Sequence, residues 1–107
     1  MRYRARVDSN HKQIKALFQQ FAVVKDTSKC GFGTLDLQVQ YNGELYFIEI
    51  KSKTGKLTPE QREFINSCPN SAVVRSPEDV ILFINDFQQL RNKTLKELCE
   101  RKSKSAK

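Results

Sequence analysis

Asp36, Glu49 and Lys51 are the residues whose types and spacing can do chemistry together. Both carboxylates lie in runs rich in β-branched, aromatic and other apolar residues. The Asn42-Gly43 pair between the runs predicts a hairpin closed by a two-residue type I′ turn. With Tyr41 and Glu44 paired beside that turn, Leu35 faces Ile50, Leu37 faces Ile48 and Val39 faces Tyr46, and side-chain alternation puts them all on one side, the core side. The other face carries Thr34 opposite Lys51, Asp36 opposite Glu49, Gln38 opposite Phe47 and Gln40 opposite Leu45. Directly opposed carboxylates have Cβ atoms about 4.5–5.5 Å apart and repel unless something positive sits between them. Hard oxygen ligands suit magnesium or manganese, which take one or two carboxylates together with substrate phosphate. Lys51, two residues beyond Glu49 and on the same face, could meet a phosphate oxygen or an attacking water. The pattern reads as a phosphodiester site; a solvated salt-bridge cluster on an exposed sheet face would use the same three residues at little energetic cost.

Composition narrows the partners. The chain has 107 residues, 38% hydrophobic and 29% charged, which suits one soluble globular domain over residues 1–107 with a single core. No apolar run approaches a membrane span, and Arg2, Arg4 and Arg6 are not followed by the apolar segment of a secretory signal, so an intracellular protein with no membrane partner is expected. A formal charge of +7 and a pI near 9.5 favour a polyanionic partner, nucleic acid being the economical one. The positive charge concentrates in Met1–Lys15, in Lys51–Arg62 and after Lys93, which makes Lys53, Lys56 and Arg62 the candidates for phosphate contacts beside the hairpin. Cys30, Cys68 and Cys99 are odd in number and lack CxxC spacing, and His11 is the sole histidine, so neither a disulfide framework nor zinc is indicated.

The elements that must position the hairpin follow from local signals. Met1–Val7 alternates basic and other residues and suits an edge strand or a mobile arm. Asp8 or Ser9 can cap a helix whose Ile14, Leu17, Phe18 and Phe21 form one buried stripe. Phe21–Val24 reads as a short strand and Lys25–Gly33 as a loop, in which Gly31-Phe32-Gly33 gives the backbone latitude just before Asp36. Ser52–Lys56 is a basic loop, and Thr58, Pro59 and Gln61 then mark a helix start as N-cap, first helical residue and capping-box partner. Phe64, Ile65 and Cys68 point inward, and Pro69-Asn70 ends this helix before a strand at Ala72–Arg75. Strand, helix and strand in that order predict a right-handed crossover between parallel neighbours. Ser76-Pro77 opens another amphipathic helix through Phe87. Beyond Gln88 the apolar anchors are Leu90, Leu95 and Leu98, and residues 101–107 read as a disordered basic tail. The fold class is therefore α/β, a mixed central sheet of about four strands flanked by helices.

This order of elements resembles the core of the PD-(D/E)xK nuclease superfamily, whose fold is restriction-endonuclease-like. More narrowly, Gly33–Asp36, Phe47-Ile48-Glu49-Ile50-Lys51 and Leu57-Thr58-Pro59-Glu60-Gln61 look like the virus-type replication-repair nuclease (VRR-NUC) domain, especially its small stand-alone phage members, over about Asp8 to Phe87. The resemblance implies that Asp36 and Glu49 bind a catalytic Mg2+, or Mn2+ in its place, helped by the main-chain carbonyl of Ile50. It implies that Lys51 orients or activates the attacking water and that Gln61 is the family's glutamine near the active site. Leu35 stands where the family name has proline, at a position that supplies no ligand. The first helix of the family often offers a glutamate, and the matching place here is Gln13.

The expected function is a metal-dependent, structure-selective DNA endonuclease, with a Holliday junction as the first candidate substrate and flaps or nicked duplexes behind it. A junction has two strands to cut, so a homodimer or higher homo-oligomer is expected, in the cytoplasm of a bacterial host if the chain is phage-encoded. The competing expectation is a catalytically inactive DNA-binding or assembly module that retains the nuclease fold, motivated by Gln13 and the positive charge.

Overall fold

The computed structural model describes residues 2–30 and 34–106, with side chains over 10–30 and 34–99. Helix α1 (Arg2–Gln19) is followed by strands β1 (Val23–Asp26), β2 (Leu37–Tyr41) and β3 (Glu44–Ile50), helix α2 (Pro59–Ser67), strand β4 (Ser71–Val74) and helices α3 (Pro77–Asn85) and α4 (Phe87–Ala106). The strands form one sheet in the order β1-β2-β3-β4, antiparallel except for the parallel β3–β4 pair that the α2 crossover joins. The mixed α/β architecture read from the sequence is the observed one.

The hairpin register holds from Tyr41↔Glu44 to Leu37↔Ile48. Asn42 and Gly43 both take positive φ, 53° and 79°, as the type I′ turn requires. The register ends one rung short of the expectation. Continued, the ladder would give the Ile50 N–H to the Leu35 carbonyl. Instead the Asp36 side chain accepts that N–H at 2.9 Å, while Thr27 takes the Leu35 carbonyl through Oγ1 at 2.6 Å and the Asp36 carbonyl through its N–H at 2.8 Å. Leu35 is thereby turned to the opposite side of the sheet, among Leu57, Ile65, Val73 and Leu98, which corrects its placement with Leu37 and Ile50.

Two apolar clusters sandwich the sheet. One joins Ile14 and Phe18 of α1, Leu37 and Val39 of β2, Ile48 and Ile50 of β3, Val80 and Phe83 of α3 and Leu90 of α4. Phe83 is its hub, with Phe18, Tyr46 and Phe87 edge-on to it at 5.2, 4.9 and 5.6 Å between centroids. Phe18 of α1 is core, and Phe21 just after the helix packs against it. The second cluster lies under α2 and the later turns of α4, with Phe64 against Phe47.

Several boundaries differ from the sequence reading: β4 runs Ser71–Val74, one residue earlier than expected, and the helix expected through Phe87 stops at Asn85, where Asp86 leaves the helical backbone and Phe87 opens α4. α1 starts at Arg2, with no break at the expected Asp8 or Ser9 cap, because the segment has no proline or glycine and is rich in helix-forming Arg, Ala and Lys. β1 begins two residues later than expected, since Phe21 and Ala22 still donate to the Phe18 carbonyl as the last turn of α1, and Lys25 and Asp26 belong to the strand. α4 is helical through Ala106, so the backbone of the expected tail at 101–106 continues the helix; Lys107, like Gly31-Phe32-Gly33, lies outside the described residues. α4 also covers the outer edge of β4: Thr94 Oγ1 accepts from the Val73 N–H at 3.1 Å, and buried Arg91 donates to the carbonyls of Ser71 and Ile65. Among the described residues, no helix is long and apolar enough to cross a membrane.

Candidate active site

The carboxylates meet where β2 begins and β3 ends. Alternation along β3 sends Ile48 and Ile50 into the α1 side of the core and Glu49 to the other side, where it is only 3% exposed. Asp36 reaches the same place from just before β2, anchored by the Ile50 N–H and by Thr27. Both line a cavity of about 550 Å³ together with Ile50, Lys51, Ser52 and Gly55 from the β3 end and Asn10 and His11 from α1.

Each Glu49 oxygen has a distinct environment. Oε2 accepts from Gln61 Nε2 at 2.9 Å and lies 3.6 Å from Lys51 Nζ. Oε1 is buried and has no hydrogen-bond partner among the described residues. Burial first, and then the charge of the adjacent Asp36, push the Glu49 carboxyl up to about 8, against the pull of Lys51. A buried, unpartnered carboxylate oxygen beside a second carboxylate is costly unless a positive partner occupies the space. The two carboxylates have the hard-oxygen chemistry that a divalent cation takes, and Ile50 lines the same cavity. Among the described residues there is no group of three or more His, Cys, Asp or Glu side chains suited to a metal, so such an ion would complete its shell with water and substrate oxygen.

Gln61 reconciles two readings of one residue. Its backbone N–H donates to Thr58 Oγ1 at 3.1 Å and its Oε1 accepts from the Thr58 N–H at 2.9 Å, the reciprocal capping box. Because Oε1 is committed to the cap, the amide NH2 is the end left to face Glu49. The cap sets the orientation that the site uses.

Of the expected phosphate-contacting residues, Lys53 and Lys56 are exposed on the loop beside the cavity. Arg62 is not with them: its guanidinium turns toward α4, where Nη2 donates to the Leu98 carbonyl at 3.4 Å and Nη1 is buried without a partner among the described residues. It lines a separate cavity between α2 and α4. Gln13 is also elsewhere, exposed on α1; the side chain at the site is Asn10, whose Nδ2 donates to the Lys51 carbonyl at 3.3 Å. Ile14 and Phe18 are fully buried and Leu17 only partly, so the inward stripe runs through 14 and 18 and its upstream continuation is Asn10 and His11. That spacing was the available signal for Asn10. Arg75 had no sequence signal: it donates to the carbonyls of Ser52 and Gly55 at 2.6 and 2.8 Å and pairs with Glu97, holding the lysine-bearing loop.

The sequence model of a family described as the VRR-NUC domain matches residues 3–81, which include every residue of this cavity. No curated protein and no solved structure matches the chain.

Proposed function

The chain belongs to the VRR-NUC domain family, a nuclease family of PD-(D/E)xK-like fold that processes DNA, and from that premise we propose that it is a metal-dependent endonuclease hydrolysing DNA phosphodiester bonds at the Asp36–Glu49–Lys51 cavity. The observation that carries this reading is Glu49: a carboxylate 3% exposed, with Oε1 unpartnered among the described residues, beside Asp36 and within 3.6 Å of the Lys51 ammonium. Asp36, Glu49 and the carbonyl of Ile50 would hold Mg2+, or Mn2+ in its place. Bound there, the cation would polarise the scissile phosphate and lower the pKa of the attacking water. Lys51 places a positive charge where negative charge develops on the phosphate, and it orients the attacking water. Gln61 keeps Glu49 from rotating away. Asp36, tied to the Ile50 amide, holds its carboxylate beside that of Glu49.

We assign the substrate as branched DNA, four-way junctions first, with a dimer supplying two sites for the two strands. Support comes from the basic charge around the cavity and from the family. The second reading, a DNA-binding module without turnover, is favoured by one observation: α1 brings the neutral Asn10 to the cavity, and among the described residues no third carboxylate lines it. Cleavage of labelled four-way junction, flap, nicked and plain duplex DNA with Mg2+ or Mn2+ decides between them. Metal-dependent cutting that Glu49→Ala and Lys51→Ala both abolish is the expected result. Tight binding without cutting under either ion establishes the second reading.

A further inference from the structure

His11 lines the cavity from α1, yet neither the carboxylate pair nor Lys51 needs it. Its Nε2 lies 3.0 Å from Asp26 Oδ2. The same oxygen accepts from Lys15 Nζ at 3.1 Å, and Oδ1 accepts from the amide and hydroxyl of Ser28 at 3.0 and 2.6 Å. Burial pulls the Asp26 carboxyl upward, but Ser28, His11 and Lys15 together hold it well below the usual carboxylate range. An ionised carboxylate only accepts, so Nε2 of the His11 ring carries a proton, in the neutral and in the doubly protonated ring alike. Nδ1 is then the ring's remaining polar atom. As a tie between α1 and β1 the contact is redundant, because Lys15 makes the same tie to the same oxygen from the next helical turn.

We propose that His11, oriented by Asp26, is a phosphate-binding residue that contacts a phosphodiester oxygen of the DNA through Nδ1, from the α1 side of the cavity that Lys51 bounds on the β3 side. An imidazolium between two anions, the Asp26 carboxylate and a phosphate, donates through both ring nitrogens, and such charge-assisted bonds are the strong ones. Asp26 is a positioning residue: it fixes ring orientation and tautomer without reaching the substrate, as a carboxylate behind a histidine does elsewhere. The inference rests on the cavity receiving DNA, and its test separates it from the nuclease reading.

His11 is the only histidine of the chain, so its ring gives a single set of resonances. The test titrates the full-length protein with the dinucleoside phosphate dTpdT, and separately with thymidine, while the His11 ring nitrogens are followed by NMR; wild-type and His11→Gln chains are assayed for DNA cleavage in the same buffer plus Mg2+ or Mn2+. The Nδ1 resonance is expected to move with dTpdT and not with thymidine. Asp26→Asn should alter the tautomer pattern of the free ring and weaken the dTpdT response. His11→Gln should raise KM about fivefold or more with a smaller change in kcat, as loss of one charge-assisted contact does. An Nδ1 resonance indifferent to dTpdT overturns the proposal, and if the wild type still cleaves, the nuclease reading survives it. A dTpdT response in a chain that cuts no DNA keeps the His11 contact and removes the nuclease reading.

Discussion

Glu49 carries the sharpest consequence at the scale of single residues. Burial and the charge of Asp36 push its carboxyl up to about 8, from an ordinary value of 4.5. The folded state therefore grips that proton more tightly than the unfolded chain. The resulting stability is fully present below the unfolded value and is lost as pH rises through the folded one. In chelator, Glu49→Gln should match wild type near pH 4 and exceed it above about pH 8 by on the order of 5 kcal/mol, read by urea unfolding across pH. A cation must displace the same proton, so the rise in Tm on adding Mg2+ should be smaller at about pH 6 than at about pH 8.5. Gln61 is the complementary test. Gln61→Glu keeps an acceptor for the Thr58 amide but sets a carboxylate against Glu49 Oε2, so helix content should be unchanged while cleavage falls about tenfold or more. Gln61→Ala should add about 1 kcal/mol of lost capping to the same defect.

At the scale of elements, the basic loop after β3 is a held structure. Arg75, just beyond β4, reaches under it to the carbonyls of Ser52 and Gly55 and is steadied by Glu97 of α4. Gly55 belongs to this packing, since a Cβ there would meet Ser52 Oγ at 3.1 Å. Arg75→Ala should release Lys53 and Lys56 from a fixed position and raise KM for DNA several-fold while kcat changes less. Arg75→Lys should not restore it, because an ammonium lacks the planar fork that satisfies two carbonyls and a carboxylate together. Steady-state kinetics checks both variants. The hairpin shows the same economy: its ladder stops at Leu37↔Ile48, and the backbone bond that would come next is replaced by the Asp36 side chain. Where the ladder stops, the Asp36 carboxylate is tied to the Ile50 amide beside Glu49.

For the whole molecule, the exposed lysines of the loop after β3 share an end of the sheet with the cavity. The formal charge is +7, and Lys53 and Lys56 stand exposed beside the cavity, so DNA affinity should fall steeply with salt through release of condensed counterions. Lys53→Ala and Lys56→Ala should each weaken binding by a similar factor on junction, flap and duplex and reduce the salt slope by about one, as a phosphate contact does and a base or shape contact does not. Fluorescence anisotropy at several salt concentrations reads both quantities. Arg62→Ala is expected to leave the slope unchanged, because its guanidinium is engaged at α4.

The features legible in the sequence are the ones set by neighbours along the chain. Asn42-Gly43 dictates the turn, the turn dictates the register, and alternation then assigns Glu49 and Lys51 to one face; Thr58, Pro59 and Gln61 dictate the start of α2 because a cap is made within one helical turn. The family resemblance rested on these same local patterns. What only the tertiary structure decided depends on groups distant in sequence and close in space. Leu35 crossed the sheet because Thr27 captured its carbonyl, Arg62 left the basic surface because α4 lay within its reach, and Arg75 became the anchor of a loop about twenty residues upstream of it. Which face of α1 meets the cavity was likewise settled by how Ile14 and Phe18 pack against the sheet, and that packing delivers Asn10 and His11 in place of Gln13. Local bonds are written in the order of residues; long-range contacts exist only once the core has brought their partners together.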